Sequence, residues 1–235
     1  MPVNEKQEFG SGALFKASAG VYAVMVCDVL LVLTNILLVL APLLAGLGGA
    51  AGGWLVLLAG VPLGPSLVAA AYSCNRLIAG HDSSAARDYV RGLRMNVREA
   101  LAVWVPFLAL LAVIAFNLAN LRPGSPAEPA IRIALVVLGL LVCTTAVNAL
   151  LLVSRFSFRA RDIFRLSVYC LGAQKRVSLG NCGLLFITGF LLTLTSVALI
   201  LFIAGAAVYA ICLNSRSLLH FVEERFTAAA SPSQA

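Results

Sequence analysis

Five stretches of the chain are nearly free of charge: Val21 to Ala45, Trp54 to Ala79, Leu101 to Leu121, Ile133 to Val153 and Val177 to Leu213. At 1.5 Å per residue, each of the first four reads as a helix long enough to cross about 30 Å of hydrocarbon. The fifth covers 37 residues, about 55 Å as one straight helix, nearly twice that thickness. Two shorter helices folding back near Thr193 to Ser196 are therefore expected. The predicted fold is all-α: a polytopic membrane helical bundle with six transmembrane helices, or five if residues 177–213 cross once, joined by cytoplasmic amphipathic helices.

The polar positions between these runs are also patterned. Arg87, Arg91, Arg94 and Arg98 fall within about 60° of one another on a helix, forming one basic stripe. Tyr89, Val90, Leu93, Val97 and Ala100 gather on another side. An apolar face beside an arginine row describes a helix on a membrane surface or against a partner, and places Tyr89 and Leu93 with the arginines as docking residues. Asp82 or Ser83 would cap this helix. A second basic segment, Arg155 to Arg176, interleaves Arg159, Arg161 and Arg165 with Phe156, Phe158, Ile163, Phe164, Leu166 and Tyr169. The remaining connections carry only Arg122 and Arg132. That asymmetry puts both basic segments and the N-terminus in the cytoplasm.

Polar residues inside the runs are the other candidates. Asp28 is the only acid in the interior of any run, and an intramembrane carboxylate normally faces the bundle and has a partner. It reads either as a substrate or proton site or as a structural hydrogen bond to a neighbouring helix, at Asn75 or Arg76. Asn35, seven residues on, shares its face. Gly60, Pro62, Gly64 and Pro65 predict a kink or break in the second helix. Such breaks build binding sites in transporters, and elsewhere they simply bend the helix. Leu47 to Gly53 is expected to be a turn.

Composition sharpens the class. Of 235 residues, 61% are hydrophobic and 11% charged, with a mean hydropathy of +0.97, far from a soluble domain. The net charge of +7 is explained by anionic lipid and topology rather than nucleic acid. The chain divides into a cytoplasmic N-terminal segment (1–19), one transmembrane helical domain (20–226) and a disordered tail (227–235). The six cysteines show no zinc-type spacing and read as small apolar packing residues. No phosphate loop, HExxH or GxSxG motif occurs, and His81 and His220 read as solvated, so no enzyme, metal or cofactor is expected.

Gly64-Pro65 leading into a helix end, then Gly80, Asp88-Tyr89, Leu93 and Asn96 before an aromatic-entered helix, resembles the YesL family of bacterial membrane proteins over residues 20–120. Asp28 stands about where that family has an asparagine. The resemblance implies a small helical protein of the bacterial inner membrane, often encoded near carbohydrate ABC importers. The chain lacks the cytoplasmic EAA segment with its following glycine that importer permeases share: Glu99-Ala100-Leu101 runs on into Ala102-Val103-Trp104. The expected function is an accessory or scaffold protein associated with such an importer, its partners being membrane lipids and importer subunits or further copies of itself. The alternative is a small-solute carrier using Asp28 and the kinked second helix. A membrane sensor has the least support, since no outer segment is long enough to read a ligand.

Overall fold

A computed structural model describes residues 13–40, 49–80, 84–121, 127–156, 158–194 and 197–227. The elements among them are helical: α1 (Ala13–Thr34), α2 (Ile36–Val39), α3 (Gly49–Ala59), α4 (Leu63–Ile78), α5 (Ala85–Ala119), α6 (Glu128–Arg155), α7 (Ala160–Ala173), α8 (Lys175–Leu194), α9 (Val197–Asn214) and α10 (Arg216–Val222), with a short π-turn at Glu223–Thr227. Three segments are long and apolar enough to cross a membrane: Gly53–Ile78, Ala85–Ala119 and Glu128–Arg155. The exterior agrees with lipid as solvent. Phe116, Val113, Ile133, Val137, Phe186 and Phe190 are all exposed, an apolar surface far beyond what water tolerates.

The apolar runs became helices, but several ends moved. The first helix starts at Ala13, inside the segment expected to be polar and separate. It stops at Thr34, because Asn35 donates its side-chain amide to the Leu31 carbonyl at 2.8 Å and so competes with the helical ladder. Of the expected turn at Leu47 to Gly53, Gly49–Gly53 belong to α3, and Leu47 and Gly48 lie outside the described residues. Helix α6 starts at Glu128, five residues before the apolar run, with Pro129 in its first turn where a missing N–H costs nothing. Arg132 is therefore helical and pairs with Glu128 at 2.7 Å.

The largest revision concerns the arginine stripe. The basic segment and the third apolar run form a single helix, α5, of 35 residues. That is about 52 Å, so some 20 Å extend beyond a hydrocarbon core. The stripe is thus an extension of a membrane-length helix and not a separate helix laid on the surface. Ser84, in extended conformation, stands at its N-cap; Asp82 and Ser83, expected there, lie outside the described residues, as do His81 and the tail 228–235.

Helices α8 and α9 run antiparallel. The Asn214 amide donates to the Val177 carbonyl at 2.9 Å and the Asn181 amide to Ser215 Oγ at 3.0 Å, joining the start of one helix to the end of the other. Residues 177–213 are therefore no single straight helix. Two apolar clusters hold the bundle together. One unites α1, α4 and α9 around Leu31, Ala70, Cys74 and Ile211. The other joins α5, α6, α7 and α10 around Val103, Leu152, Ile163 and Leu218. Helix α7 is amphipathic as expected: Ile163, Leu166 and Cys170 are buried while Arg161, Arg165 and Tyr169 face outward.

Candidate functional site

The kink residues form a built joint. Pro62 has no N–H for Leu58, and the chain between α3 and α4 closes tight turns instead, Val61 N–H to the Leu58 carbonyl at 3.1 Å and Leu63 N–H to the Gly60 carbonyl at 3.2 Å. Trp104 on α5 donates its indole N–H to the Gly60 carbonyl at 2.9 Å. Gly64 lies against the Trp104 side chain so closely that a Cβ there has no space. Pro65 is buried beside it. The freed backbone carbonyl at Gly60 is thus taken by the protein itself.

Asp28 is equally committed. It is buried, 1% exposed, and its Oδ1 accepts the backbone N–H of Gly205 on α9 at 2.9 Å. A Cβ on Gly205 would come within 2.8 Å of the Asp28 Cβ and 2.9 Å of the Val24 carbonyl oxygen, so α1 and α9 touch backbone to backbone here. The expectation of Asn75 or Arg76 as the partner is corrected. Arg76 instead pairs with Asp88 at 3.0 Å, tying α4 to α5. Asn35 donates to Ser66 Oγ at 2.7 Å, and Thr34 Oγ1 lies 2.8 Å from the Tyr89 hydroxyl. This buried cluster spans the break after α1, the start of α4 and helix α5. A second cluster, Asn148, Asn181, Asn214 and Ser215, links α6, α8 and α9.

The six expected docking residues separate. Tyr89 is 1% exposed and Leu93 packs against the α1/α4/α9 core. Both face inward because α4 covers that side of α5, and Gly92 sits against Tyr72 with only 3.0 Å left for a Cβ. Tyr89 cannot meet a partner directly, and Leu93 is half-buried. Arg87, Arg91, Arg94 and Arg98 are all exposed, and none of them is in an ion pair among the described residues. Arg87, Arg91 and Arg94 line one open groove with Ala86, Val90 and Met95. Arg98 does not join it. It lines a separate cleft of about 310 Å³ with Glu99, Ala102, Val103, Phe158, Arg159, Ala160 and Ile163.

The remaining chemistry is quiet. All six cysteines are free; Cys27 donates to Ser73 Oγ at 3.3 Å and Cys212 to the Ala71 carbonyl at 3.9 Å, in keeping with packing residues. On α7, outside the membrane-length helices, burial pushes the Cys170 thiol up to about 11. Among the described residues no group of His, Cys, Asp or Glu is placed to hold a metal ion. Sequence reasoning missed Gly205 and Gly92, whose signal was only a glycine inside an otherwise unbroken helical pattern. Comparison with known family models, curated proteins and solved structures finds no match.

Proposed function

We propose that this chain is an accessory or scaffold membrane protein that docks another membrane complex through the Arg87/Arg91/Arg94 groove on the extended half of α5. The observation that carries the reading is three exposed guanidiniums that form no ion pair among the described residues, beside exposed Val90 and Met95, on a helix about 20 Å longer than a bilayer core requires. Guanidiniums held rigidly on a helix suit carboxylates of a partner, since a flat bidentate acceptor matches their fork. The resemblance to the YesL family supplies the class of partner, a carbohydrate ABC importer in a bacterial inner membrane. In this reading six helices cross the membrane, the two halves of residues 177–213 among them, and the N-terminus and both arginine-rich segments lie in the cytoplasm. No catalytic role is assigned.

The test is purification of the tagged full-length protein from its native membrane in a gentle detergent, with co-purifying subunits identified by mass. Importer permease and binding-protein subunits in fixed ratio support the reading. The protein alone, or as a homo-oligomer, contradicts it.

A second reading, a small-solute carrier, has one observation in its favour: Asn35 Oδ1 is buried without a hydrogen-bond partner among the described residues where the α1 break faces Ser66. Uptake into reconstituted vesicles that is abolished by Asn35→Leu would support it.

A further inference from the structure

The cleft holding Arg98 has a different character from the groove beside it. Its walls come from two parts of the chain: Arg98, Glu99, Ala102 and Val103 from α5, and Phe158, Arg159, Ala160 and Ile163 from the start of α7. Arg98 and Arg159 are exposed and neither is in an ion pair among the described residues. Val103 and Ile163 are fully buried, at 0% exposure, and give the cleft an apolar floor. The cleft also lies where α5 passes from its arginine half to the apolar half that begins at Leu101. On a membrane protein that is the level of lipid headgroups.

We propose that this cleft binds one phosphatidylethanolamine molecule of the adjoining leaflet. Arg98 and Arg159 receive its phosphate, each guanidinium offering paired N–H donors to oxygen. Glu99, the one acid of the cleft, complements the ammonium group. The glycerol backbone and the start of an acyl chain follow the exposed Ala102 up the apolar half of α5. Two cations, one anion and an apolar floor match the order of groups on this lipid, whereas a lipid with an uncharged headgroup alcohol leaves Glu99 facing the phosphate without a counter-charge. A lipid held here would fasten α7 to α5, next to the groove proposed for docking and distinct from it.

The test is native mass spectrometry of the full-length protein in detergent, titrated with phosphatidylethanolamine and, separately, phosphatidylglycerol. One tightly held phosphatidylethanolamine is expected. Arg98→Gln with Arg159→Gln should weaken it by about thirtyfold, taking the usual gain per basic residue at a lipid surface. Ala102→Trp, which fills the cleft without touching its charge, should also remove the lipid, so the proposal does not rest on the arginine variant folding well. Arg87→Gln with Arg91→Gln should leave the lipid bound. Glu99→Gln should shift preference towards phosphatidylglycerol. Retention of the lipid by both the arginine variant and Ala102→Trp would overturn the site. So would tighter binding of phosphatidylglycerol by the unaltered protein, or full displacement of the lipid by millimolar inorganic phosphate, which marks a plain anion site.

Discussion

The polar residues of this protein fall into two regions that behave in opposite ways. Within the bundle, Asp28, Asn35, Ser66, Trp104 and Asn181 are buried, and each shares a hydrogen bond with a backbone group or a side chain on another part of the fold. On the N-terminal half of α5, Arg87, Arg91 and Arg94 are exposed and without ion pairs among the described residues. The cause is the solvent. In hydrocarbon an unmatched polar group costs several kcal/mol, so interior polar residues are consumed in holding helices together. Beyond the lipid a charge is stable alone and stays free to meet something else. A carboxylate in an apolar helix draws attention first, yet here it is bonded across to α9, and the bland-looking arginine row is what remains available.

The sharpest way to break this contrast lies at Gly64. Gly64→Leu should destabilise the fold by about 3 kcal/mol, because the buried Trp104 side chain already occupies the space a larger residue would need. Thermal unfolding in detergent checks it; an unchanged midpoint would mean that the joint between α3, α4 and α5 is loose. At Asp28 the two substitutions should differ. Asp28→Leu removes the acceptor of the Gly205 N–H and adds bulk where α1 and α9 touch, and should cost about 2 kcal/mol, while Asp28→Asn keeps an acceptor and should cost less than about 1 kcal/mol. Equal losses would point to a role for the charge. Trp104→Phe removes the donor to the Gly60 carbonyl together with part of the buried ring packed on Gly64 and should cost about 1–2 kcal/mol in the same assay.

The smallest effect concerns reactivity. Burial disfavours the charged thiolate, so with its pKa raised to about 11 Cys170 should stay protonated at neutral and mildly alkaline pH. Maleimide should label it slowly in the native protein and rapidly once the protein is denatured, as read by peptide mass mapping. Fast native labelling would show that α7 leaves its seat on the bundle.

Much of the helical plan was legible because hydrocarbon thickness imposes a length on apolar runs, and the break at Gly60 to Pro62 was legible because proline lacks a donor. Helix ends were not. Nothing in the periodicity of Ala85 to Glu99 distinguishes a separate surface helix from the start of a membrane-length one, since both show the same stripe. The apolar side of that stripe held two kinds of residue: Tyr89 and Leu93 face α4 and the core, while Val90 and Val97 face outward. Only packing separates them. Asp28 could be recognised as partnered, but its partner is a backbone N–H exposed by a glycine, which no search for complementary side chains finds.

The most direct test of the contrast is one quantitative co-purification of importer subunits from native membranes with three versions of the protein. The unaltered chain and Asp28→Asn should recover the same fixed ratio of subunits. Arg91→Glu with Arg94→Glu, inserted in the membrane at the same level, should recover about tenfold less, since reversing two exposed charges replaces attraction by repulsion. Full recovery by the arginine variant together with loss in Asp28→Asn would contradict the account and move function into the membrane interior.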